Sequence, residues 1–231
     1  MIAHLGVLGA LIVLAMPAHA QSESQAQVEP SAGIGQAVPS ATSAKTDATT
    51  TPVPSPQLAT EVEAFIAKLD SATHAIYENG KKDPALVRDG CRDLLNGVLN
   101  LTAMARATNS EIWEQMTPPQ RETLRAAFEN RMVSNCVRQF GRYDGEYMRL
   151  AGVRPTDDGE LLATVRVGAQ DDEKLVTWRL QNSGAEGFRA VDVITEGRSA
   201  VVDARNEFAA VLQSVNGDID ALIAFMQESS L

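Results

Sequence analysis

Histidine, cysteine and aromatic residues are the scarce types in this chain of 231 residues: three histidines, two cysteines, and aromatics at 5%. His4 and His19 fall in the first twenty residues, so a mature domain keeps only His74. A multi-histidine metal site or a Cys/His zinc cluster is excluded by count. So few aromatics leave no stacking platform for nucleobases. Positive charge is also short, since 20 Lys and Arg against 30 Asp and Glu give a net charge of −10 and a pI near 4.8. That balance excludes a nucleic-acid binder working by phosphate neutralisation, and it opposes adsorption to an anionic membrane through a basic face. If such a protein handles lipid, it must do so in a pocket. No later stretch approaches eighteen apolar residues, so nothing beyond the N-terminus reads as a membrane span.

What is present begins with a short apolar run, Leu5 through Met16, followed by Ala18-His19-Ala20. The run is too short to cross a bilayer and the small-x-small triplet suits a signal peptidase, so residues 1–20 read as a signal peptide cleaved after Ala20. The charge ahead of the run is weak; left uncleaved, the segment would act as an anchor. Export places the mature chain in an extracytoplasmic, oxidising compartment. Residues 21–57 are rich in Ser, Thr, Ala and Gln, with Pro30, Pro39, Pro52, Pro54 and Pro56 scattered through them. This composition predicts a disordered linker. Residues 58–231 are then one domain.

Helical spacing dominates the first half of that domain. Thr60-x-x-Glu63 reads as a capping box, followed by Val62, Phe65, Ile66, Leu69, Ala72 and Ile76 on one face, and Asn79-Gly80 as a stop. On that wheel His74 lies opposite the apolar face and is expected in water. Asp83-Pro84 opens a second helix with Val87, Cys91, Leu94, Leu95 and Val98 as its stripe, and one or two short helices follow up to Met116. Thr117 and Gln120 make a capping box for a long helix to about Tyr143, in which Leu124, Phe128, Met132, Cys136 and Phe140 recur every four residues. Cys91 and Cys136 both sit on buried stripes. An exported pair of this kind is either a disulfide or two small core hydrophobes.

The period then changes from 3.6 to 2. Leu161, Ala163, Val165 and Val167 alternate with polar neighbours, as do Val176, Trp178 and Leu180, and a third run covers Phe188 to Ile194. Loops at Asp157-Asp158-Gly159, Gln170-Asp171-Asp172 and Asn182-Ser183-Gly184 separate these strands, as in antiparallel hairpins. Ser199 and Asp218 read as N-caps of two final helices. A helical N-terminal half, a small twisted antiparallel sheet of about four strands and two C-terminal helices predict an α+β fold.

Trp113 with Thr117-Pro118-Pro119-Gln120-Arg121 ahead of a long helix resembles the W…TPxQR segment of the MlaC, or toluene-tolerance, family. Phe188 to Ser199, with Asp192 and Glu196-Gly197-Arg198-Ser199, then Arg205 and Phe208, is similar to that family's D-x-x-x-EGxS…R…F signature. Ala204, Cys136 and Val137 stand where the family usually has tyrosines. The resemblance implies a periplasmic carrier that shuttles phospholipid between an outer-membrane lipoprotein complex and an inner-membrane ABC transporter module, with no cofactor. A hopanoid-associated sister branch is the alternative ligand class. It further implies a lipid pocket between sheet and helices, for which Ala163, Val165, Val176, Trp178 and Leu180 on the sheet and Phe128 and Met132 on the long helix are the candidate lining.

Asp192 falls in step with Phe188, Ala190 and Ile194, which puts a carboxylate on an apolar strand face. Arg205 on the next helix is the expected partner, with Glu196 and Ser199 bracketing the turn; the alternative has Arg205 facing a lipid phosphate. An enzyme is disfavoured, because Ser199 lies in no G-x-S-x-G elbow, His74 is expected in solvent, and the paired aspartates fall in hairpin loops. A third class is an interaction module with no ligand.

Overall fold

The computed structural model describes residues 55–168 and 173–228. The expected signal peptide, the expected linker up to residue 54 and the Gln170-Asp171-Asp172 loop lie outside the described residues.

Helix α1 (Pro56–Lys82) starts one turn before the Thr60 pattern predicts. Ser55 is its N-cap, accepting the Leu58 N–H through its hydroxyl, and Pro56 occupies the first turn, where a missing N–H costs nothing. Thr60 lies inside the helix and donates its hydroxyl to the Pro56 carbonyl. Asn79-Gly80 does not stop the helix, which continues to Lys82. Gly80 is there for space: a Cβ on it would come within 2.5 Å of Val87 Cγ2.

Helix α2 (Ala85–Val98) takes its first free N–H, that of Ala85, onto the Asp83 carboxylate. Helix α3 (Leu101–Thr108) is capped by Asn100, and a short 3₁₀ turn at Trp113–Gln115 leads to α4 (Pro118–Phe140). There the Thr117 and Gln120 capping box forms in both directions. From Arg131 to Cys136 every residue of α4 is buried, so the helix is enclosed on all sides over that stretch. Helix α2 packs against α1 and α4, and α4 against α3 and α6. A disulfide joins Cys91 of α2 to Cys136 of α4, Cα to Cα 6.0 Å.

The sheet is antiparallel with five strands in sequential order, β1 (Tyr147–Pro155), β2 (Leu161–Gly168), β3 (Lys174–Asn182), β4 (Phe188–Thr195) and the two-residue β5 (Arg198–Ser199). Strand β1 has no clean alternation to read. Its pairing slips between Leu150 and Gly152, so inward Met148 and Leu150 are followed by inward Val153 rather than Gly152. A bulge of this kind shifts the parity of every later side chain. The α2–α3 junction is tied to the sheet where Asn100 N–H donates to the Ala190 carbonyl at 2.8 Å. Helices α5 (Ala200–Ser214) and α6 (Ile219–Glu228) follow, capped by Ser199 and by Asp218, which accepts the Ala221 N–H. None of the described helices is long and apolar enough to cross a membrane.

Candidate functional site

Strand register brings the sheet candidates into one patch. Ala163 pairs with Trp178, Val165 with Val176, and Leu161 with Leu180, and because cross-strand partners share a face, all of them point to the same side of the sheet. Ala163, Val165 and Leu180 are fully buried and Val176 and Trp178 nearly so. Phe128 and Met132, one turn apart on α4, are equally enclosed. Among the described residues, the inner face carries two buried polar atoms without a hydrogen-bond partner, Trp178 Nε1 and Thr195 Oγ1.

A second bulge corrects the expected Asp192–Arg205 pair. Leu180 pairs with Ala190 but Arg179 with Asp192, which leaves Val191 unpaired, so Val193 and Thr195 take the inner face in place of Asp192 and Ile194. Asp192 is buried against the next turn. Its Oδ1 accepts the N–H groups of Val193 (2.8 Å) and Val201 (3.1 Å), and its Oδ2 accepts the Ser199 hydroxyl. Ser199 Oγ in turn accepts the Val202 N–H. A carboxylate at the first turn of α5 is favoured both as acceptor and by the helix dipole. Glu196 (φ 53°) and Gly197 (φ 76°) form the exposed β4–β5 turn, both left-handed as a two-residue hairpin of primed type requires. Arg205 turns away and donates its Nε–H to the Ala107 carbonyl at 2.8 Å. The cavity beside it, bordered by Thr108, Asn109 and Phe208, holds only about 20 Å³, room for about one water and not for a lipid head group.

Sequence patterning gave no sign of a half-buried ion pair between α4 and α5. Arg131 Nη2 reaches both carboxylate oxygens of Glu207, at 3.0 and 3.1 Å, and the guanidinium lies 5.7 Å from the Phe208 ring. Burial raises the Glu207 carboxyl above its ordinary range, and Arg131 offsets part of that.

His74 is not in water. Strand β1 covers the side of α1 that the apolar stripe leaves free, and the His74 ring stacks on Tyr147 at 4.5 Å. Its Nδ1 lies 3.0 Å from the Asp70 carbonyl and its Nε2 3.3 Å from the Gly145 carbonyl. Asp70 Oδ1 accepts the Met148 N–H, fastening the edge strand to α1. Tyr143 donates to the Glu146 carbonyl at 2.6 Å; burial raises its phenol well above the usual range, so it stays a donor. Burial, then the charge of Asp144, pushes the Glu146 carboxyl up to about 7, and Glu146 Oε2 has no partner among the described residues.

The family model described as MlaC protein matches residues 66–228, from the middle of α1 to the end of α6. The chain belongs to the MlaC family. The MlaC match therefore takes in both the helical layer and the whole sheet. No curated protein matches the chain. Among solved structures, one similar fold is a phospholipid-binding protein from Ralstonia solanacearum in complex with a phospholipid, with TM-score 0.57 and 17% identity, covering 78% of this chain and 97% of that one. The MlaC-like Trp113…Arg121 segment has a local role here. Arg121 donates Nε–H to the Trp113 carbonyl at 2.9 Å and lies over its ring, anchoring the turn before α4.

Proposed function

We propose that this protein is a periplasmic phospholipid carrier that shuttles lipid between an outer-membrane lipoprotein complex and an inner-membrane ABC transporter module. The observation that carries the reading is the MlaC match across residues 66–228. The likeness in fold to a protein described in complex with a phospholipid is in keeping with it. The physical need is large: exposing a sixteen-carbon tail costs roughly 0.8 kcal/mol per methylene, about 12 kcal/mol per tail. Ala163, Val165, Val176, Trp178 and Leu180, with Phe128 and Met132, are the proposed lining of an interior that parts to admit the tails. The Cys91–Cys136 disulfide and the Leu5–Met16 run followed by Ala18-His19-Ala20 support an exported, oxidised protein. Catalysis has no support in the geometry, since Ser199 is engaged with Asp192 and Val202 while His74 is held by Asp70 and Gly145.

Organic extraction of protein purified from its native host without detergent tests the reading. One or two lipids per chain are expected, and their class separates phospholipid from hopanoid. A lipid-free preparation on native mass spectrometry overturns the proposal.

A further inference from the structure

The surroundings of Trp178 are aliphatic, with Ala163 opposite it on β2, Val193 opposite it on β4, and Val176 and Leu180 on the same face of its own strand. Trp178 is only 3% exposed, and its indole N–H has no acceptor among the described residues. A phenylalanine would fill such a place without burying a donor, and buried donors are almost always paired. The second unpartnered atom, Thr195 Oγ1, is on the same face because of the Val191 bulge; continuous alternation would have turned Thr195 outward. Val176 pairs with Thr195, so Thr195 lies diagonal to Trp178, a separation of about 7–8 Å between backbones that an indole ring spans.

We infer that Trp178 Nε1–H, with the Thr195 hydroxyl beside it, hydrogen-bonds a neutral acceptor oxygen on the lipid held in this interior: an ester carbonyl or a chain hydroxyl. The inference rests on the carrier reading. An indole N–H only donates, whereas a threonine hydroxyl donates and accepts. A carbonyl oxygen accepts both donors on its two lone pairs; a lipid hydroxyl accepts from the indole N–H and donates its own O–H to Thr195 Oγ1. A phosphate is not matched, because an anion among Ala163, Val176, Leu180 and Val193 would be desolvated with no counter-charge from any of them. The pair therefore reads the neutral part of the ligand and leaves the charged head group outside.

The test offers the full-length protein equal parts of three phosphatidylethanolamines in vesicles: a diester form, its dialkyl ether analogue, and the ether analogue with one chain hydroxyl. Bound lipid is extracted and weighed by mass spectrometry. The wild type should favour the diester or the hydroxylated form over the plain ether by about fivefold, the discrimination of one neutral hydrogen bond, and which form is favoured names the oxygen. Trp178→Phe should lose that bias and take the three forms in vesicle proportion, whatever its total uptake. Wild-type protein that takes the three in vesicle proportion, or a Trp178→Phe protein that keeps the bias, overturns the inference alone. Uptake of none of the three overturns the carrier reading and the inference with it. Should Trp178→Phe fail to fold, the indole N–H resonance of the wild type decides: it should move downfield with the favoured lipid and not with the plain ether, and equal shifts overturn the assignment.

Discussion

Two side chains carry the sharpest expectations. Glu146 has a folded-state carboxyl pushed up to about 7, above its unfolded value, so the native state holds more protons than the unfolded state between about pH 4.5 and 7. Stability falls as pH rises through that window. Because the group is partly solvated, the loss is discounted to about 1 kcal/mol. Glu146→Gln should flatten this dependence and melt above the wild type at pH 8, measured by thermal unfolding across pH. Asp192 is a carboxylate whose removal strands the Val201 N–H at the start of α5. Asp192→Ala should cost about 2 to 3 kcal/mol in denaturant unfolding, and a loss under 0.5 kcal/mol, an order usual for surface changes, would mean that the cap is dispensable.

Elements meet here where glycine allows it. On α2, a Cβ at Gly90 would lie 2.8 Å from Ile76 Cγ1 of α1, while one at Gly97 meets nothing within 4 Å. Alanine gains up to ~1 kcal/mol of helix propensity at either place, but at Gly90 overpacking of about 1 to 3 kcal/mol opposes it. Gly97→Ala should therefore stabilise and Gly90→Ala destabilise, a difference of sign that urea melts resolve. The same scale explains what patterning missed. Stripes on α2 and α4 were legible because their buried residues keep one period, Leu94, Leu95 and Val98 on one and Leu124, Phe128 and Met132 on the other. Strand β1 and the second half of β4 were not, since each contains a bulge after which alternation resumes out of phase.

At the scale of the molecule, one covalent link fastens the helical layer. Cys91 and Cys136 close a loop of 45 residues, which in the chain-entropy model is worth about 4 kcal/mol. Reduction, or Cys91→Ala with Cys136→Ala, should lower the unfolding free energy by roughly that amount, a large share of the 5 to 15 kcal/mol typical of a domain. Thiol counting in denaturant without reductant should find none free; two free thiols would refute the bridge.

The α+β class, the helix caps at Thr117, Ser199 and Asp218, and the inward set Ala163, Val165, Val176, Trp178 and Leu180 are written in the local pattern of residues, because each rests on contacts within a few residues or on an unbroken period. The family signature was legible for the same reason, its motifs being contiguous. The partners that charged and polar groups take come from the packing of distant segments: Asp192 to the α5 N-terminus and not Arg205, Arg131 to Glu207 across 76 positions, His74 under Tyr147. A hydrogen bond or ion pair is made with whatever the fold brings within about 3 Å, and no periodicity along one chain segment records what a distant segment will place there.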